Sequence, residues 1–391
     1  MFFGFSDYPI STCIYNRSWS GIITEAKKYN LKIYAAKYGV EGILKDNLID
    51  LSDIDDNTLQ VLRYSPSSAF GSCRHKLKEE EFETVFNLFE KYNIGYFFYI
   101  GGNDSMETAK KVEQYASKCG YELKVIGIPK TIDNDLVHTH FCPGYGSAAK
   151  YIATSVREMA LDCDVYDKNS ISIIEVMGRD SGFLAAAGAL ARNNVIDSPH
   201  LIYLPEITFD ETQFLNEVET IYKERGKVFI IVSEGLKDKS GNYAYLREKR
   251  ADAFNNIKMG GIGAYLGSLV KEHIEKRVKT IEFNILQRSA AHIASNVDNE
   301  VAVMVGRDGI RYAMDGTSGV MVNIVKYDSS FKTSTVPLEH VARKTKEFPL
   351  EWIDTQNRWL KPEAFDYMLP LIQGTTDVQY EAGLPKYVRF I

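Results

Sequence analysis

The chain has 391 residues, with 46 lysines and arginines against 52 aspartates and glutamates, a formal net charge of −6. Hydrophobic residues make up 45% and charged residues 25%, the balance of a folded soluble protein, which excludes a disordered chain. The acidic balance argues against a general nucleic-acid or membrane-surface binder. The longest apolar runs, such as 228–232, are far too short to span a bilayer.

At roughly 150 residues per domain, this length predicts two or three domains or one large two-lobed enzyme. The start, MFFGFSDYPI, lacks the basic residues and long apolar stretch of a secretion signal. The cysteines Cys13, Cys73, Cys119, Cys142 and Cys163 are scattered, with no CxxC pair. A reducing, cytoplasmic setting is therefore expected rather than a disulfide framework.

In chain order, residues 95–100 read as a strand, followed by the turn Gly101-Gly102-Asn103-Asp104-Ser105 and the helical METAKKVEQYASK. A second strand, 123–128, ends in PKTIDND, and a third, 170–176, ends in MGRDSG before the helical FLAAAGALA. Further strand candidates are 201–204, 228–232, 280–285 and 301–305. Strands alternating with helices predict an α/β fold whose mostly parallel sheets are flanked by helices. Ligands gather beyond the carboxyl ends of such strands, where the polar motifs of this chain fall. The division expected is one lobe of residues 1–143 and 285–340 and another of 144–284 and 341–391, with a cleft between them.

Glycines at Gly101 and Gly102 allow close approach of a ligand to the backbone, and a helix N-terminus offers free N–H groups to an anion. A tight turn capped by Asp104 or Ser105 would use the same residues. Neither GxGxxG nor GxxxxGK[ST] occurs, so a Rossmann or Walker site lacks support. The run Pro129-Lys130-Thr131-Ile132-Asp133-Asn134-Asp135 suits phosphoryl transfer. One aspartate can take the proton of an attacking hydroxyl, the other can help hold Mg²⁺, and Lys130 can neutralise phosphate. Met177-Gly178-Arg179, Glu234-Gly235 and Gln287-Arg288 follow other strands, and together they describe an anionic sugar site. His138, His140 and Cys142 alternate like metal ligands but lack a fourth partner, so a structural role is expected.

These motifs resemble the phosphofructokinase family: GGNDS its donor loop, PKTIDND its catalytic loop, EVMGR its sugar-phosphate loop, SEG and LQR its later substrate segments, and Phe70-Gly71-Ser72-Cys73-Arg74 its LGSSR turn. The resemblance runs from about Lys32 to about Val325 and implies that family's two-lobed fold. Asp104 and Lys130 are the residues of its diphosphate-dependent branch. Asp104 adds bulk and charge where a nucleotide's α-phosphate would pass, and Lys130 is suited to pair with it and meet the shorter donor. The resemblance implies reversible transfer from diphosphate to the 1-hydroxyl of fructose 6-phosphate, with Mg²⁺ as cofactor and a homodimer or homotetramer as the assembly. By it, Asp133, Lys130 and Asp104 are catalytic. Thr131, Ile132, Asp133, Met177, Gly178, Arg179, Glu234, Lys279, Ile285 and Arg288 bind the sugar phosphate. Gly101, Gly102, Asn103, Asp104, Ser105, Arg74 and Lys130 bind the donor, and Asn103 and Asp135 the metal.

Three departures from the family stand out. The N-terminal glycine loop is replaced by Asp7-Tyr8-Pro9-Ile10-Ser11, with Asn16 following; Asn103 stands for the usual metal-associated aspartate; and Ile285 and Lys279 replace more usual His or Tyr and Arg. They keep open a catalytically weakened regulatory or sugar-phosphate-sensing subunit, and, against Asp104 and Lys130, an ATP-dependent enzyme. Sedoheptulose 7-phosphate is a further acceptor compatible with these residues.

Overall fold

Glycine-bounded apolar runs become parallel strands because both faces of each run are buried, which favours continuous Val, Ile and Phe over alternation. The computed structural model describes residues 2–5, 13–245, 260–328 and 330–391. The altered loop at 7–11 lies outside the described residues. The main strands are β1 (Phe2–Phe5), β2 (Ile33–Ala36), β3 (Leu48–Asp50), β4 (Tyr96–Gly101), β5 (Lys124–Pro129), β6 (Ser170–Val176), β7 (Leu201–Tyr203), β8 (Lys227–Ser233), β9 (Val278–Glu282), β10 (Val320–Tyr327) and β11 (Ser330–Pro337).

The chain divides into two units. Met1–Tyr145, Arg288–Thr345 and Gly374–Ile391 form the first, and Gly146–Gln287 with Lys346–Gln373 the second. In the first, a seven-stranded sheet has the order β11-β10-β5-β4-β1-β2-β3. Its centre is parallel, and β3 and β11 join antiparallel at the two edges. Phe97, Tyr99, Val125, Met106 and Val112 belong to its core. In the second unit a four-stranded sheet, order β7-β8-β6-β9, is parallel throughout. Ile171, Ile173, Val228, Ile230, Phe214 and Leu266 pack in its core. Each such side chain contributes about 1.5–3 kcal/mol on burial.

Three expectations are corrected. Residues 301–305 are not a strand but part of the helix Asn296–Met314. Their β-branched run suggests a strand, yet Val301, Ala302, Val305, Gly306, Gly309, Ile310 and Ala313 bury one helical face, and Ser295 caps the start by accepting from Asp298 N–H. The final stretch Gly374–Ile391 packs with the first unit, not the second. Val388 N–H donates to Ser65 Oγ at 2.8 Å, Phe390 N–H to Ala69 O at 2.9 Å, and the Phe390 ring stacks on Phe70 with centroids 5.0 Å apart. The strand expected at 280–285 ends at Glu282, leaving Ile285 beyond it.

Candidate active site

In the first unit, β4 and β5 run side by side with Gly101 opposite Pro129, so the two motif loops leave the sheet as neighbours. Lys130 N–H donates to Gly101 O at 3.0 Å, fastening one loop to the other. Gly102 caps the helix Asn103–Cys119, which starts inside the donor motif and directs its first N–H groups there. Asn103 Nδ2 donates to Asp135 Oδ2 at 2.8 Å, while Asn103 Oδ1 is buried without a hydrogen-bond partner.

The PKTIDND loop is braced from within. Thr131 Oγ1 accepts from Asp133 N–H at 3.1 Å, and Asn134 Oδ1 accepts from Cys142 N–H at 2.9 Å. Thr131 N–H donates to Pro143 O, and Asp298 Oδ1 accepts from Gly144 N–H at 3.0 Å. Thr131, Ile132 and Lys130 are buried, whereas Asp133 and Asp135 keep partial exposure. Ile132 is fully buried. Burial and the neighbouring Arg288 push the Lys130 ammonium down to about 7, against the pull of Asp133. The loop therefore gathers a carboxylate and an amine whose protonation changes near neutral pH. Arg74 is exposed in the same unit.

In the second unit, the loops after β6 and β8 interlock. Glu234 N–H donates to Val176 O at 2.9 Å, and Ser233 Oγ donates to Gly178 O. Met177 N–H donates to Gln287 Oε1 at 3.3 Å, which draws in the segment after β9. Met177, Gly178, Arg179, Glu234 and Gln287 are thus brought together at one end of the sheet. Lys279 is not. It pairs with Ser172 inside β9, several residues before the carboxyl end, and is exposed. Ile285 is exposed as well, at 55%.

Gly235 sits where a Cβ would lie 1.8 Å from Arg179 O and 2.5 Å from its carbonyl carbon. Gly235→Ala must displace the Arg179 backbone, and overpacking of this kind costs about 1–3 kcal/mol. The expected result is a lower urea midpoint than the parent. An unchanged midpoint would show that the loop yields freely.

A phosphofructokinase family model matches residues 11–312 of the chain. The chain belongs to the phosphofructokinase family. It is 38% identical to the pyrophosphate–fructose 6-phosphate 1-phosphotransferase of Xanthomonas campestris pv. campestris, over 96% of this chain and 93% of that protein. It is 39% identical to the protein of the same name from Methylococcus capsulatus, again over 96% and 93%. Among solved structures it is similar to the pyrophosphate-dependent phosphofructokinase of Nitrosospira multiformis. The TM-score is 0.90 at 36% identity, covering 99% of this chain and 95% of that one.

The structure adds two features to the motif reading. Asn16, on the helix Cys13–Lys28, is buried. Its Nδ2 donates to Ser65 O and Ser67 O, and its Oδ1 accepts from Ala69 N–H at 2.9 Å, so it braces the segment leading to Phe70–Arg74. Glu107 lies one turn beyond Asn103 on the same helix and is ion-paired to Arg343, Lys111 (2.9 Å) and Lys76 (3.2 Å). Burial pushes its carboxyl up, but Arg343, Lys111 and Lys76 outweigh this and hold it at about 2. Only the i,i+4 spacing of Glu107 and Lys111 hints at this cluster in the sequence.

Proposed function

We propose that the chain catalyses reversible phosphoryl transfer from diphosphate to the 1-hydroxyl of fructose 6-phosphate, giving fructose 1,6-bisphosphate and phosphate. The observation that carries this reading is the fastening of the Lys130–Asp135 loop onto a glycine turn that opens a helix, in a chain similar over nearly its whole length to diphosphate-dependent relatives. In this reading Asp133 takes the proton from the 1-hydroxyl as that oxygen bonds to the terminal phosphorus. The bond from phosphorus to the bridging oxygen breaks, and phosphate departs. Lys130, Arg74 and the N–H groups at the start of the helix Asn103–Cys119 offset donor charge, while Met177, Gly178, Arg179, Glu234 and Arg288 hold the sugar phosphate. Asp104 narrows the site against a nucleotide.

The buried, unpartnered Asn103 Oδ1 and the adjacent Asp135 carboxylate form a hard oxygen set that fits Mg²⁺, which usually takes one or two protein oxygens alongside phosphate and water. Among the described residues no three His, Cys, Asp or Glu side chains converge to hold a metal without substrate. When bound, the ion supplies charge neutralisation at the phosphates.

Cys119 and Cys163 are free thiols, which supports the cytoplasmic assignment. No helix among the described residues is long and apolar enough to cross a membrane. A homo-oligomer is part of the same proposal: Lys279, exposed on the edge strand β9, is better placed to serve a second copy than its own loops. Light scattering of the purified chain tests this, and a strict monomer would refute it.

The functional test supplies fructose 6-phosphate, Mg²⁺ and either diphosphate or ATP. Turnover with diphosphate and little with ATP is expected. Equal use of ATP would overturn the donor assignment. Fructose 6-phosphate binding without turnover by either donor would favour a regulatory subunit.

A further inference from the structure

Glu206 follows β7 in the second unit and is not part of any motif described above. Its Oε1 accepts two backbone hydrogen bonds, from Gly182 N–H and from Phe348 N–H, each at 2.7 Å. Gly182 closes the loop that carries Arg179, and Phe348 belongs to the returning segment Lys346–Gln373. One oxygen thus ties the loop after β6 to a stretch of chain far away in sequence. The approach requires glycine at 182, where a Cβ would stand 2.5 Å from Glu206 Oε2 and 3.0 Å from Leu204 Cδ2.

The second oxygen is unusual for a staple. Oε2 is buried and has no hydrogen-bond partner. Burial raises the carboxyl above its usual range, the two backbone donors oppose this, and Glu347 adds repulsion. A buried carboxylate of this kind is expensive to retain for packing alone, since an apolar side chain would fill the space without desolvating a charge. What only an acceptor can do here is hold the Gly182 N–H, and with it the end of the Met177–Gly182 loop. The neighbouring aromatic packing fixes the other anchor: Phe348 meets Phe183 edge-on at 5.1 Å and Trp352 at 5.7 Å.

We infer that Glu206 is a positioning residue for the sugar phosphate, fixing the Arg179 loop through Gly182 and the Phe348 segment. The inference rests on the function proposed above in one respect, the role of Arg179. The experiment is calorimetric titration of the full chain with fructose 6-phosphate, a readout that needs no turnover, followed by steady-state kinetics with diphosphate.

Arg179→Ala is measured first, and loss of fructose 6-phosphate affinity establishes the role of the loop. If Arg179→Ala binds as the parent does, the functional assignment of Arg179 fails, and the inference about Glu206 fails with it. Given that loss, Glu206→Ala is expected to weaken fructose 6-phosphate binding about tenfold, with kcat and the KM for diphosphate within about threefold of the parent. Glu206→Gln, which keeps the Oε1 acceptor, should restore most of the affinity. Should the alanine variant not fold, Glu206→Asp replaces it, its shortened acid withdrawing from Gly182 with the same expected selective loss. Parallel loss of affinity for both substrates, or a fall in kcat with fructose 6-phosphate affinity intact, would overturn the inference in favour of a purely structural staple.

Discussion

Asp133→Ala is expected to lower kcat by about 10³-fold, within the ~10²–10⁴ range of a positioned general base, while fructose 6-phosphate affinity stays within about threefold. The geometry explains both halves. Asp133 is partly exposed at the mouth of a loop whose shape is maintained by other residues: Asn134 through Cys142, Thr131 through Pro143, and Asp298 through Gly144. Removing the Asp133 side chain takes away the proposed proton acceptor and leaves those braces in place. Thr131 Oγ1 receives the backbone N–H of residue 133, which alanine retains. Steady-state kinetics and calorimetry together check the outcome. A kcat within tenfold of the parent would remove Asp133 from the role of base.

The second large effect concerns Lys130. Burial and Arg288 lower its ammonium to about 7 from the usual lysine value. In the free protein at pH 8 the amine is therefore mostly neutral, and an arriving diphosphate anion favours its charged form. Diphosphate binding at pH 8 should take up a proton at this site, seen by calorimetry as an enthalpy that depends on the ionisation heat of the buffer. Lys130→Met should abolish the part of the uptake that belongs to the lysine and weaken diphosphate binding about ten- to hundredfold, the worth of a hydrogen bond to a charged group. Identical buffer dependence in parent and variant would place the proton on the diphosphate alone. The sign for stability is the reverse of the usual lysine. The folded value lies below the unfolded one, so the unfolded chain holds the extra proton between about pH 7 and the ordinary lysine value. The contribution of this group to stability rises with pH across that window and is most unfavourable below it.

Much of the candidate site's placement was legible because buried parallel strands leave an unbroken apolar trace that stops where the loop begins. PKTIDND and MGR are conspicuous for that reason, and the structure holds each at the carboxyl end of its strand. The same reasoning misread residues 301–305, where five apolar residues in a row conceal the helical spacing that the wider window reveals. The hairpin of β10 and β11 leaves little trace in the sequence because its edge strand alternates exposed Ser330, Lys332 and Ser334 with half-buried Phe331, Thr333 and Thr335 and lacks an apolar run. Glu107 and Glu206 were illegible for a different reason. Arg343 lies 236 residues beyond Glu107, and Phe348 lies 142 beyond Glu206, so no local pattern announces either pairing.

The stacking of Phe390 on Phe70 gives the carboxyl end of the chain an unexpected sensitivity. Ile391 packs beside Gly71, three residues before the arginine proposed to meet the donor. Removing the Phe390 ring would therefore loosen that turn from the side away from the donor motifs. Phe390→Ala and the parent would then be expected to disagree about diphosphate while agreeing about the sugar.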